Sequence, residues 1–459
     1  MTPIPTLRHY RSKRIALLAA VIAIVATPLA LFAHAKLLRS SPASGATLAV
    51  APTSISLWFS EKPELKFSSV QLSDSAGTAI ALGALTATDS MGVTAPITSP
   101  IVPGKYSIAW KTAAAGGHAT SGKVTFAISA AAVPPGASIV ITPGHARKPA
   151  GGSNAVITPD ADVPMSPVMR WVELVAVLTL IGLVMFRLAV VPGAKWTGEA
   201  LTDVDDRLRR LANGTLVLQL VSTLTRAFVQ ADLIPNQASR MTAFKVVVQD
   251  TQWGHGWAVG AVGSVLVLIG LALSRRRMTK GWALAGVGLI GVALGETLTG
   301  HAASSPRVAL AVAADVSHIL AAGGWLGGLA ALMLAGLPTV RRLAHKSSAD
   351  YGSRLLQSFH GTAVECVTLI VLSAVISSWL RLGSFDALWK TPYGNMLLRK
   401  IFFVLVALAL GWYHSRRIVP ATFSDDVVAR FKRSAAAELI IGLVIVGFTA
   451  LLITMQTPR

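Results

Sequence analysis

Residues 309–337 read ALAVAADVSHILAAGGWLGGLAALMLAGL, a run whose only formal charge is Asp315 and whose only imidazole is His318. About 20 apolar residues in a helix cross the ~30 Å of a bilayer's hydrocarbon, so the run predicts a membrane-spanning helix. Gly323, Gly324, Gly327 and Gly328 flank Trp325 and predict close approach of a neighbouring helix. Asp315 and His318 stand three apart and share one helix face. Ionisable side chains are costly in lipid, so this pair is expected to face the bundle interior and to mark a functional site.

Seven further apolar runs lie outward from this one, near 169–191, 211–233, 254–273, 282–299, 362–382, 397–414 and 436–454. The run at 211–233 is the weakest, because Gln219, Arg226 and Gln230 must point inward for it to cross. Basic residues fall in alternate loops: Lys195 to Arg210, Arg275 to Lys280, Arg341 to Arg354 and Arg416 to Arg433. Lys and Arg are retained on the cytoplasmic side, which places the N-terminal domain and the C-terminus outside. Hydrophobic residues make up 53% of the 459 and charged residues only 14%, so the net charge of +20 reports topology rather than a nucleic-acid partner.

Residues 1–33 carry Arg8, Arg11, Lys13 and Arg14 before an apolar stretch, the pattern of a signal peptide. Cleavage after Ala33 leaves His34 first; cleavage after Ala35 leaves Lys36 first; an uncleaved anchor is the third possibility. Residues 34–128 then alternate with period two, as in Ile55, Leu57, Phe59, in Tyr106, Ile108, Trp110 and in Val124, Phe126, Ile128. A small antiparallel β-sandwich or barrel is expected there. Residues 129–165 are an Ala/Pro/Gly-rich linker to a membrane domain at 166–459.

Cys366 is the one cysteine, which excludes a disulfide framework and any CxxC metal pair; no GxxxxGK[ST] loop is present to bind nucleotide phosphates. His34 and His118 are the only histidines of the β-domain. A free N-terminal amine and imidazole on His34, a second imidazole and a carboxylate would make an N/O site suited to Cu(II). Solvated surface histidines are the plainer reading of the same residues.

The segments His34-Ala-Lys-Leu-Leu-Arg, Leu57-Trp-Phe-Ser-Glu61, Gly104-Lys-Tyr-Ser-Ile-Ala-Trp110 and Gly117-His118-Ala-Thr-Ser-Gly resemble, in this order, the CopC-type periplasmic copper-binding domain. The resemblance implies a Greek-key β-barrel with His34 and His118 as Cu(II) ligands and Glu61 as a further candidate. It departs from the family at Gly116, where an Asp is expected, and in having Met91 as the domain's sole methionine, which argues against a soft Cu(I) site.

Thr299-Gly-His301-Ala, Asp315-Val-Ser-His318, Gly324-Trp325-Leu-Gly-Gly328 and Thr391-Pro-Tyr393-Gly-Asn are similar to the CopD family. The whole then corresponds to a small all-β domain followed by an all-α polytopic bundle of about eight transmembrane helices. His301, His318, Asp315 and Glu296 are the candidate metal residues of the bundle, with His255 nearby. The implied function is periplasmic copper binding and copper transport in the import direction, contributing to copper homeostasis and resistance, in a bacterial inner membrane, without catalysis and with other periplasmic copper carriers as candidate partners. A haem-binding electron-transfer protein and a copper sensor or assembly factor are the alternatives. Glu173 and Glu365 are intramembrane acids without an assignable partner. His345, His360 and His414 fall at the cytoplasmic ends, where solvation is favoured over an exit site. Met165, Met169 and Met185 either guide Cu(I) or fill gaps, and Cys366 is expected in the core.

Overall fold

The computed structural model describes residues 37–59, 62–89, 91–113, 119–133, 167–232, 239–276, 279–300, 302, 307–342, 345–418 and 424–455. The expected signal peptide and linker, and His34, Glu61, Gly116, His118 and His301, lie outside these residues. The chain divides into two compact units, one of residues 32–164 with 229–253, the other built on residues 165–228 and 254–459.

The first unit holds a β-sandwich. One sheet has the order β1 (Leu37–Ser41), β3 (Ser54–Phe59), β7 (Gly92–Pro96), β6 (Thr86–Ala87). The other runs β2 (Thr47–Val50), β9 (Ala119–Val133), β8 (Gly104–Ala113), β4 (Ser69–Asp74), β5 (Ala79–Ile80). All pairings are antiparallel except β2 with β9, which is parallel. All nine alternating residues quoted above are buried and form one core, because a strand's period of two delivers every second side chain to the same face. Trp110 lies over Gly122, its partner in the β8–β9 register, where an added Cβ would come within 2.6 Å of the indole. A helix of the same unit, α3 (Arg240–Asp250), is capped by Ser239, whose Oγ accepts from Thr242 N. Its far end meets the β-domain where Lys66 Nζ pairs with Asp250 at 2.6 Å. Just beyond it, Gln252 N donates to Glu64 Oε1 at 3.2 Å.

The second unit is helical. Among the described residues, seven helices are long and apolar enough to cross a membrane: α1 (Pro167–Gly193), α4 (Gln252–Ser274), α5 (Thr279–Leu298), α6 (Val308–Arg342), α7 (His345–Leu382), α8 (Pro392–Arg417) and α9 (Asp425–Thr454). The eighth, α2 (Gly198–Ala231), has 34 residues but a polar face. Arg187 of α1 bonds Asp205 near the start of α2, and Arg226 near its end reaches back to Glu173 in the first half of α1. The two helices are therefore antiparallel over their length. Gln219, Thr223, Arg226 and Gln230 are buried while Val217, Leu218 and Val221 are exposed, the inside-out pattern of a helix facing lipid.

Small residues set the closest crossings. A Cβ on Gly182 of α1 would lie 2.0 Å from the Gly327 carbonyl carbon of α6, and one on Gly263 of α4 would lie 2.6 Å from Gly288 O of α5. Four π-turns, at Phe186–Val190, Gly323–Gly327, Leu332–Gly336 and His414–Ile418, interrupt the α-helical ladder.

Candidate functional site

Two polar networks occupy the bundle interior. In the first, Arg170 and Glu173 of α1 meet Arg226 of α2 and Glu296 of α5. Arg170 Nη1 lies 2.6 Å from Glu173 and 2.7 Å from Glu296; Arg226 Nη1 lies 3.1 Å from Glu296 and 3.4 Å from Glu173. Arg226 also donates to Thr299. Two guanidiniums against two carboxylates leave the network neutral, the condition on which buried charges are tolerated. Glu173 thus gains two partners: Arg170, three residues before it on the same helix, and Arg226 from a distant segment.

The second network centres on α6 and α7. Ser373 Oγ lies 2.7 Å from Leu369 O, 3.0 Å from Ile370 O and 3.0 Å from His318 Nδ1, so it ties the ring to α7. When the Ser373 hydroxyl hydrogen is on a main-chain carbonyl, the neutral His318 ring carries its hydrogen on Nδ1 and presents the Nε2 lone pair. One turn earlier in α6, Asp315 accepts from Ser377 Oγ at 2.7 Å and pairs with Arg381. Ser373, Ser377 and Arg381 stand four apart and make one stripe on α7.

Of the expected bundle residues, His318 and Asp315 share this second network, whereas Glu296 belongs to the first. His255 and Glu365 are exposed, and Cys366 is buried in an apolar cluster. Sequence reading missed Arg170, Ser373, Ser377 and Arg381; the spacing of four along run six was the signal for the last three. Among the described residues no group of three or more His, Cys, Asp or Glu side chains stands together as a metal site.

In the β-domain, the described strands place the flanks of the candidate ligands. Leu37 of β1 pairs with Phe59 of β3, so the segments bearing His34 and Glu61 leave the sheet at the same end. Phe59 meets Trp110 edge to face at 5.3 Å, and Ala113 pairs with Ala119 around the β8–β9 turn that carries His118. Phe59 and the β8–β9 turn are therefore at one end of the sandwich.

A β-sandwich joined to a helical bundle with a neutral ion-pair network and an oriented imidazole inside it defines a polytopic membrane protein carrying a folded β-domain. The CopC domain family model matches residues 37–129, the Copper resistance protein D-like N-terminal domain matches 159–311, and Copper resistance protein D matches 353–452. The chain is 24% identical over 408 residues to Copper transport protein CutJ of Bacillus subtilis (strain 168), covering 85% of this chain and 69% of that one. It is 25% identical over 283 residues to Copper resistance protein D of Pseudomonas syringae pv. tomato, covering 60% and 89%. It is 32% identical over 120 residues to Protein YobA of Escherichia coli (strain K12), covering 26% and 95%. The chain belongs to the CopC–CopD family of copper resistance and transport proteins, with a CopC domain followed by a CopD membrane domain.

Proposed function

We propose that this chain binds Cu(II) in its β-domain and carries copper inward across the bacterial inner membrane, past His318 at the outer end of the bundle. The observation that carries the reading is the 3.0 Å hydrogen bond between His318 Nδ1 and Ser373, which ties the ring to a neighbouring helix and leaves Nε2 as the nitrogen available to a metal. His301, in the connection between α5 and α6, supplies the second imidazole. In the β-domain His34, His118 and Glu61 form the capture site, a reading supported by the shared end of β1, β3 and the β8–β9 turn.

Asp315 supplies negative charge for the ion, whereas the carboxylate of Glu296 is already balanced by Arg170 and Arg226. Arg381 and Lys400 stand within electrostatic reach of His318 and outnumber Asp315. A cation is therefore held weakly there, which suits a route, since a site that binds too well stops conduction. Copper is cargo, and no bond-making step is assigned to any residue. The β-domain and the C-terminus lie on the periplasmic side, as the basic loops require.

The test is copper accumulation in cells expressing His318→Ala. Accumulation should be lost while expression and Cu(II) binding by the β-domain persist. Normal accumulation overturns the route through His318, and a Soret band in the purified wild-type protein would shift the reading to haem-based electron transfer.

A further inference from the structure

The bundle also holds a cavity of about 270 Å³ that the copper route does not use. It lies between α7 and α8, with Trp325 of α6 and Phe431 and Glu438 of α9 behind it. The polar atoms of that back wall are engaged with one another: Trp325 Nε1 donates to Glu438 at 2.9 Å, and His414 pairs with the same carboxylate at 3.2 Å. Most of what faces an occupant is carbon, from Phe359, Val364, Val367, Ala407, Leu408 and Trp412.

The shape of the cavity matches the hydrocarbon of one leaflet. Its wall on α7 runs from Leu356 to Thr368, about 18 Å at a rise of 1.5 Å per residue. Half of a bilayer's ~30 Å core is about 15 Å. The cavity opens sideways, because Val364 in its wall is exposed and continues a stripe of exposed apolar residues through Val371 and Val375. Near its lower end α8 exposes Trp412 and Tyr413, the residues that settle at headgroup level.

That end is also positively charged. Arg416 Cζ lies 5.9 Å from the ring of Trp412, Arg417 follows it, and Arg430 and Arg433 flank Phe431 in sequence. All four are exposed, and among the described residues none of them forms an ion pair. The nearest acids in sequence, Asp425 and Asp426, occupy the first turn of α9, where the helix N-terminus already offsets them.

We propose that the cavity holds one acyl chain of an anionic phospholipid whose phosphate lies on Arg416 and Arg417. An apolar slot open to lipid takes its occupant from the bilayer, and unpaired cations at its end select a negative headgroup over a zwitterionic one. Guanidinium groups pair with phosphate oxygens by charge-assisted, commonly bidentate hydrogen bonds. Ser415 in the cavity wall adds a hydroxyl at the same level. The lipid site is independent of the identity of the transported ion.

Gly411 separates the slot from the surface charge. It lines the cavity, and a Cβ added there meets nothing within 4 Å, so Gly411→Leu fills the slot with a better helix former. Purified full-length protein in detergent is mixed with equal amounts of phosphatidylglycerol and phosphatidylcholine. Lipid retained per chain is counted by native mass spectrometry, and the unfolding temperature of the lipid-free protein is measured in parallel. Wild type should retain one phosphatidylglycerol per chain in preference to phosphatidylcholine. Gly411→Leu should lose it with every charge in place, and Arg416→Gln with Arg417→Gln should lose it with the slot open. Both variants, lipid-free, should unfold near the wild-type temperature. Equal retention of the two lipids by wild type overturns the anionic headgroup, as does retention by the arginine variant. Retention by folded Gly411→Leu places the lipid on the basic surface alone and overturns the slot.

Discussion

Replacing Arg226 with Met tests whether the charge network holds α1, α2 and α5 together. Met preserves most of the volume and the helix propensity, so the change removes chiefly the charge. The neutral set of two guanidiniums and two carboxylates becomes net negative, and both Glu173 and Glu296 lose a partner, at 3.4 and 3.1 Å. Breaking a buried pair by deleting one member costs about 3–5 kcal/mol. Glu173 is 0% exposed, so water cannot supply the missing partner. Neutralising Glu173 in the same chain, as Arg226→Met with Glu173→Gln, restores the charge balance and should recover about 2 kcal/mol of the loss. Cys366 offers the assay: it is the sole cysteine and is 3% exposed, so the temperature at which a thiol-reactive dye labels it reports bundle opening. A double variant whose loss equals the sum of the two single losses would refute electrostatic coupling across the three helices.

Gly182→Ala should destabilise the bundle by about 3 kcal/mol, because the new Cβ meets Gly327 backbone at 2.0 Å and backbone cannot rotate aside; Gly361→Ala, with nothing within 4 Å, should be neutral or slightly stabilising in the same labelling assay. In the β-domain, the Met91 amide and the Trp58 indole donate to Asp89 and hold its carboxyl below the ordinary value of 3.8. A depressed folded value contributes stability above the unfolded value that is lost as pH falls through the folded one. Hydrogen exchange of β3 and β7 should therefore quicken below pH 3.8 in wild type, and less steeply in Asp89→Asn.

Periodicity carried most of the fold. The alternation in three strands named nine core residues, and the apolar runs fell within eight helices. It failed where helices continue as polar structure: α7 begins at His345, seventeen residues before its apolar run, and α3 has no such run at all. The site was less legible because its contacts join distant segments. Glu173 and Glu296 were visible as buried acids, but Arg170 sits at the edge of its run and resembles a headgroup anchor. His414 looked solvated from its place at a helix end, yet it is 7% exposed because Phe431 and Glu438 of α9 cover it. No local rule reports a partner that arrives from another helix.

The placement of the four network charges also constrains how the chain enters its membrane. α1 is neutral by itself, since Arg170 and Glu173 are three residues apart and already bonded. α2 brings Arg226 alone, and its balancing acid, Glu296, is translated only after α3 and α4. A lone arginine disfavours insertion by about 2.5–3.5 kcal/mol, so α2 is a poor candidate to partition as an independent segment. Its route into lipid runs through α1, whose Glu173 is the first acid available to it. The nascent bundle would stay half-inserted and charge-frustrated at the translocon until α5 emerges, making this stretch of synthesis the window in which a membrane-protein chaperone or quality-control protease has most access to the chain.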